Sequence, residues 1–304
     1  MIKRKTPRVL VLGYPYFVSR LLELGKDSGL EMHALPKGWW QRLISLIRCN
    51  LIYQIGGDLR PNRFHRLAFL LGKKQIIHWV GSDIIAMKKL AAQGFKFSPH
   101  FTKKAVHWVE VNWIAKELTE LGIIGNVVPL TPAAFPEKAP DLPEKFVVLT
   151  YLPPEKSAFY GEAQIIALAE EFPEIVFLAA AASTTETNPK WPANLMAVGW
   201  VNDMARIYQE ITVLIRLPEH DGLSFMVLEA LANGRHVIWN YAFDGVRQTS
   251  GYQQTVQILK DLLRDYERGE LKLNEAGREF VKKYYSQAVV WEQISRGFLE
   301  VLKK

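Results

Sequence analysis

Cysteine is almost absent: Cys49 is the only one in 304 residues. That excludes an internal disulfide and a cysteine-built zinc site, and it fits a reducing cytosol. No catalytic His or Asn pattern lies near Cys49, so an inert buried thiol is expected. Long apolar runs are also missing, which leaves no transmembrane-helix candidate. Met1-Ile2-Lys3-Arg4-Lys5 leads into a strand and not into the apolar core of a signal peptide. No Gly-x-Gly-x-x-Gly follows the first strand, so a dinucleotide fingerprint is not expected. No Gly-x-Ser-x-Gly elbow is present, which disfavours a serine hydrolase. The seven histidines are scattered, without a His-x3-His pair, and no Asp-x-Asp occurs, so no metal site is expected.

What is present is 49% hydrophobic residues, enough for two packed domains, and an uneven charge. The formal net charge is +7. Residues 1–140 hold 21 Lys+Arg against 9 Asp+Glu, or +12, and the remainder holds 17 against 22, or −5. A basic first half suits an anionic partner such as a lipid surface or a phosphate-bearing acceptor. Nucleic acid is disfavoured, because no recognised binding motif accompanies the charge. Residues 39–48 carry aromatics, aliphatics and arginines at helical spacing. Two readings are open there: an interfacial helix on an anionic membrane, or an ordinary core helix with a solvated basic edge.

Short apolar runs alternate with helical patterns along the whole chain. Strands are expected at Arg8 to Leu12, Asn50 to Ile55, Gln75 to Val80, Ala105 to Val111 and Asn126 to Leu130, with helices at Ser19 to Gly25, Phe64 to Leu71 and Trp113 to Leu121. Five prolines between 129 and 143 read as a linker. The alternation restarts with strands at Phe146 to Leu152, Ile175 to Ala180, Leu195 to Val198, Ile211 to Leu217 and His236 to Trp239. A helix spans Gly161 to Phe172, and long helices at about 252–268, 274–285 and 288–302 close the chain. This order predicts an α/β chain of two tandem, doubly wound Rossmann-like domains, with ligands beyond the carboxyl ends of the strands, in a cleft between the domains.

The segment His220 to Gly234 carries the densest chemistry. Ser224 reads as a helix N-cap and Gly234 as the left-handed stop. The helix between them is apolar on every side, which predicts burial, yet Glu229 stands in its middle. A buried carboxylate needs donors, either from a ligand's hydroxyls or from a core Arg or Tyr. The helix start suits a phosphate, and Glu229 lies about 7–8 Å along the axis from it, about a nucleoside's reach.

Asp221 and Glu229, seven residues apart, with Gly222 after the first and Glu-Ala-Leu-Ala-Asn-Gly closing the segment, resemble the E-x7-E donor motif of retaining glycosyltransferases of family 4, which have the GT-B fold. The resemblance implies that Glu229 holds a ribose, that Asp221 holds the donor sugar, and that Gly222, Leu223 and Ser224 meet the sugar and pyrophosphate through their amides. Asp221 stands where Glu is commoner and is one methylene shorter. Phe146 to Lys156 is similar to the strand and loop that end in a diphosphate-binding Lys, which places Lys156 in that role. The Arg of that segment is replaced by Tyr151, and a phenol supplies no charged bidentate contact. Arg216 either provides the missing cation or pairs with Glu219.

Ile77-His78-Trp79-Val80-Gly81-Ser82-Asp83 is similar to a loop that faces the donor sugar, which implies sugar contacts for His78 and Asp83. The alternatives are a core histidine and a helix-capping aspartate. Gly13 matches a glycine turn that lets acceptor and donor phosphate approach. Asp244-Gly245-Val246 falls where a donor-contacting Gly-Gly turn is usual, and Ala179 to Ala182 replace a glycine-rich turn.

The implied domains are an acceptor-side domain at 1–135, a nucleotide-sugar domain at 136–285, and a final helix, 286–304, packing back on the first. The implied protein is a metal-independent glycosyltransferase with a nucleotide-diphospho-sugar as donor substrate, no cofactor, and a glycan, lipid-linked or other hydroxyl acceptor. The expected setting is cell-envelope polysaccharide biosynthesis at the inner membrane face. The alternatives are an epimerase-like nucleotide-sugar enzyme and a degenerate chain that binds nucleotide or glycan without turnover.

Overall fold

The structure is a computed structural model and describes residues 6–26, 28–183 and 191–303. The stretch Met1 to Lys5, read above as no leader, lies outside the described residues. Contacts divide the chain into two units: Met1–Pro132 with Gln287–Lys304, and Ala133–Ser286.

The first unit contains β1 (Arg8–Gly13), α1 (Pro15–Leu24), β2 (Glu31–Ala34), α2 (Trp39–Arg48), β3 (Leu51–Ile55), α3 (Arg63–Leu70), β4 (Lys74–Trp79), α4 (Ser82–Ala92), β5 (Val106–Val109), α5 (Asn112–Glu120) and β6 (Gly125–Val127). Its strands pair in the order β2-β1-β3-β4-β5-β6, every pair parallel. The chain winds one way from β1 to β2 and the other way from β3 outward, so the carboxyl ends of β1 and β3 border a switch point.

Both faces of this sheet are covered, as a parallel sheet requires. One face, with Val9, Val11, Leu51 and Tyr53, packs against α1 and against Val290, Ile294 and Phe298 of the terminal helix Gln287–Lys303. The other, with Leu10 and Ile52, packs against Leu46, Cys49 and Ala68. Cys49 is buried, and burial holds its thiol pKa above the ordinary value.

The second unit contains β7 (Val147–Tyr151), α6 (Glu162–Glu171), β8 (Val176–Ala180), β9 (Leu195–Gly199), α7 (Met204–Glu210), β10 (Val213–Arg216), α8 (Phe225–Ala232), β11 (His236–Trp239), β12 (Arg247–Gln248), α9 (Tyr252–Glu267) and α10 (Glu275–Tyr285); the terminal helix Gln287–Lys303 is α11. The sheet order is β12-β11-β10-β7-β8-β9, again all parallel. Here the direction of winding reverses between β7 and β10. Ile165, Leu168 and Ala169 of α6 and Val256, Leu259 and Leu262 of α9 close one face over Val148, Phe177, Val213 and Ile215.

Candidate functional site

In the second unit the switch point is bordered by two loops, and the loops carry most of the expected donor residues. β7 runs into Leu152-Pro153-Pro154, and Lys156 ends the short 3-10 turn Pro154–Lys156 with its side chain exposed. β10 runs into the segment Leu217 to Ser224. That segment is tied down at three places. Glu219 N–H donates to the Phe159 carbonyl at 2.8 Å, Asn240 Nδ2 donates to the Pro218 carbonyl at 2.6 Å, and Asp221 N–H donates to Tyr241 Oη at 3.0 Å. Ser224 is the N-cap of α8, as its sequence context predicts, and its Oγ accepts from Val227 N–H at 3.4 Å. Asp221, Gly222, Leu223 and Ser224 are all buried, so the positive end of α8 starts from a packed turn.

Arg216 and Asp221 bind each other. Arg216 Nε donates to Asp221 Oδ2 at 2.5 Å and Nη2 donates to Oδ1 at 3.1 Å, with both residues buried. Arg216 is thus paired with Asp221 in place of Glu219, which is exposed. Burial pulls the Arg216 pKa down, but the charge and hydrogen bonds of Asp221 outweigh it and hold the guanidinium above its ordinary value. The rings of Tyr151 and Tyr160 lie 5.7 and 5.2 Å from the guanidinium carbon. The missing arginine at Tyr151 is therefore met, in space, by the guanidinium of the neighbouring strand. Its charge is matched by Asp221, so Arg216 and Asp221, expected on phosphate and on sugar, form one bidentate pair in this structure.

Glu229 is half-buried, not buried as expected. Val227, Leu228, Ala230, Leu231 and Ala232 fill the core, whereas Phe225, Met226 and Glu229 are more open. Positions 225, 226 and 229 share one side of a 3.6-residue helix, so the acid stands on an accessible stripe. Tyr208 of α7 donates to Glu229 Oε2 at 3.0 Å, and Arg235 Nε holds the Tyr208 carbonyl at 2.6 Å. Tyr208 is thus a core tyrosine of the kind expected as one possible donor to Glu229, though the sequence does not signal which one, nor the part of Tyr241, since both act from distant positions.

The other second-unit positions stand in turns. Ala181, just past β8, has φ +61°, a conformation that glycine adopts without strain, and its N–H donates to the Gly199 carbonyl at 2.7 Å. The turn survives the alanine replacement at the expense of backbone strain. Asp244 is exposed, and the adjoining Gly245 carbonyl accepts from Asn274 Nδ2 at 2.7 Å, which ties the turn to α10. A cavity of ≈ 560 Å³ lies between the starts of α6 and α9, lined by residues including Gly161, Asn240 and Gly251. Lys156, Ser224 and Glu229 do not line it.

In the first unit a cavity of ≈ 430 Å³ sits at the switch point and is lined by residues including Gly13, Gln54, Asp58, Arg60, Ser82 and Asp83. Gly13 has φ +131°, and a Cβ there would come within 2.1 Å of the Ile55 carbonyl oxygen, so the backbone alone requires the glycine. Asp83 is buried, and its carboxylate accepts backbone N–H bonds from Gly57, Val80, Gly81 and Ile84. Burial raises its pKa and these four bonds oppose the rise. With those partners Asp83 staples two loops at the edge of the cavity.

His78 is corrected as well. It lies inside β4 and is fully buried, with Nδ1 2.5 Å from Tyr53 Oη and Trp108 edge-on to its ring. Burial lowers its pKa to about 3. A side chain with no exposed surface does not touch a sugar. Among the described residues no group of three or more His, Cys, Asp or Glu is placed to hold a metal ion.

No protein-family model matches the sequence, and no curated protein matches it. Solved structures do. HepE from Anabaena, determined with UDP and glucose, aligns over 95% of this chain and 98% of its own at 11% identity and a TM-score of 0.68. Sucrose-phosphate synthase from Thermosynechococcus elongatus aligns over 97% and 99% at 11% identity and 0.67. The chain has the GT-B fold. UDP-GlcNAc 2-epimerase from Neisseria meningitidis, determined with UDP-GlcNAc, shares that GT-B architecture more distantly, over 96% and 100% at 10% identity and 0.51.

Proposed function

We propose that this GT-B chain is a retaining, metal-independent glycosyltransferase. It moves a sugar from a nucleotide-diphospho-sugar to a hydroxyl of a glycan, lipid-linked or other acceptor, on the cytosolic side of envelope polysaccharide synthesis. One observation carries the reading: around the second switch point stand a capped helix N-terminus at Ser224, an exposed cation at Lys156, and a carboxylate, Glu229, on an open stripe of the same helix. Those groups suit a phosphate, a second phosphate and a ribose diol in that order, with the acid about 7–8 Å from the helix end.

In this reading Lys156 and the α8 terminus stabilise the charge that grows on the leaving diphosphate. The bond from the anomeric carbon to phosphate oxygen breaks, the acceptor oxygen bonds the same carbon on the same face, and the acceptor proton passes to the departing phosphate oxygen. His78 and Asp83 take no part. The Arg216–Asp221 pair supports the turn under the sugar. The first-unit cavity, with Gln54, Asp58 and Ser82, offers hydroxyl-binding groups for an acceptor. HepE was determined with UDP and glucose and the epimerase with UDP-GlcNAc, which puts uridine donors first in a panel. The closed Arg216–Asp221 pair favours one second reading, donor binding without turnover.

The test is calorimetry with UDP-, GDP- and ADP-sugars, followed by assays of diphosphate release and transfer to glycan and membrane acceptors. Glu229→Ala and Lys156→Ala each weaken donor binding by about 10- to 100-fold, the worth of a hydrogen bond to a charged group. Unchanged affinity in both variants removes the site. Tight binding with no release under any acceptor selects the second reading.

A further inference from the structure

The first unit carries a feature that sugar transfer does not use. α2 has one strongly apolar side, but the core takes only part of it. Leu46 is buried, while Trp40, Ile44 and Ile47 are 69%, 48% and 58% exposed and recur at i, i+4 and i+7. Trp39, 63% exposed, lies with its ring centroid 5.6 Å from that of Trp40. The end of α3 adds Leu70 and Leu71, 84% and 45% exposed. α3 and the turn after it lie against α2. Lys73, just past them, donates through Nζ to the carbonyls of Ile47 and Cys49 at 2.8 and 2.7 Å, and Ala68 of α3 shares a buried cluster with Leu46. An apolar surface of this kind is unusual on a free monomer face.

The charge around it has one sign. Between residues 32 and 82 there are eight Lys or Arg and one acid, Asp58, and that acid is paired with Arg60 at 2.7 Å. Arg42, Arg48, Arg63, Arg66 and Lys74 are exposed. Arg66 stands one helical turn before Leu70. Tryptophan, aliphatic tips and a cationic rim are what a helix needs to lie in the headgroup layer of an anionic bilayer. A nucleic acid would use the cations but would gain nothing from Ile44, Ile47, Leu70 and Leu71.

We infer that the outer face of α2, with the end of α3, is a docking surface for an anionic lipid bilayer, into which Trp39, Trp40, Ile44 and Ile47 insert while Arg48 and Arg66 meet the headgroups. The arrangement does not depend on the transferase reading, and it fails or stands separately from it. The chain then works at a membrane surface whatever the chemistry of its second unit.

The test sediments the full chain with vesicles of phosphatidylcholine alone and of phosphatidylcholine mixed with phosphatidylglycerol, at low and high salt. Binding is expected only to the anionic vesicles, and it falls with salt because the headgroup attraction is screened. Brominated acyl chains quench wild-type tryptophan fluorescence, and the quenched fraction drops in Trp39→Phe/Trp40→Phe. Trp40→Ser/Ile44→Ser/Ile47→Ser lowers the partition coefficient by roughly tenfold or more. Arg48→Glu/Arg66→Glu does so by a similar factor and leaves the apolar stripe intact, so a folding defect in the first variant does not decide the matter. No sedimentation with anionic vesicles, or binding that both variants keep, overturns the inference. So does a wild-type dimer that the serine variant converts to a monomer, because the face then belongs to a second copy.

Discussion

The pair formed by Arg216 and Asp221 separates a structural from a ligand-binding account of the acid, through Asp221→Ala. Arginine stays charged at any ordinary pH, so the variant leaves a buried guanidinium facing the gap. Its two hydrogen bonds to carboxylate, at 2.5 and 3.1 Å, are lost together. The Tyr151 and Tyr160 rings remain at 5.7 and 5.2 Å, but a ring face returns only a fraction of a desolvated charge's requirement. Breaking a buried pair by removing one partner costs about 3–5 kcal/mol. Residues 133–286 form the second unit, and for a unit of that size the loss lowers Tm by roughly 6–20 °C. Replacing both members by apolar residues, Arg216→Met/Asp221→Leu, removes the orphaned charge and restores most of the loss. Calorimetry on the wild type, both single variants and the double variant gives the coupling energy. If Asp221→Ala shifts Tm by less than about 2 °C while abolishing donor binding, the acid is a ligand group and the structural account is refuted.

Two further outcomes follow from the first unit. Gly13→Ala places a Cβ 2.1 Å from the Ile55 carbonyl at φ +131°, so it destabilises that unit by about 3 kcal/mol or more; a urea midpoint equal to wild type would show that the turn relaxes freely. His78 is neutral in the folded state, its pKa lowered to about 3 by burial, whereas an unfolded histidine takes up its proton near pH 6.5. The sign follows: the stability is complete above about pH 6.5 and is lost, at about 1.4 kcal/mol per pH unit, as the pH falls toward 3. His78→Leu removes one proton's worth of that slope from urea midpoints plotted against pH, and an unchanged slope would mean that the imidazole is reached by solvent.

The alternation of strands and helices was legible because parallel strands covered on both faces read as apolar runs. β3, β4, β7, β8, β10 and β11 all fall where the runs stand. β2, with the sequence Glu-Met-His-Ala, was not legible, since it is a half-exposed edge strand. α7 is seven residues long, too short for a period to show. The capping of α8 was legible because Ser224 and its first turn are local chemistry. The burial of Glu229 was misread for the opposite reason: an all-apolar helix does not say which side its neighbours cover. Here they leave Phe225, Met226 and Glu229 open.

His78, Arg216 and Lys156 show what decides whether a polar residue near a strand end is available. His78 precedes the last residue of β4, Arg216 is the last residue of β10, and Lys156 stands five positions past Tyr151, the end of β7. The first two are buried, with His78 Nδ1 bonded to Tyr53 Oη and Arg216 paired with Asp221; the third is exposed. A side chain within a two-sided parallel sheet meets packing on either face, so its polarity is spent inside the protein. Only beyond the carboxyl edge do loops free their groups for a ligand, which is where ligands of such sheets bind. The boundary between the two regimes is a matter of one or two residues, and strand ends are read from sequence with less accuracy than that. The residues best placed for donor chemistry are therefore those that survive an error in the strand end: the exposed Lys156, the helix start at Ser224, and Glu229 on the far side of that turn.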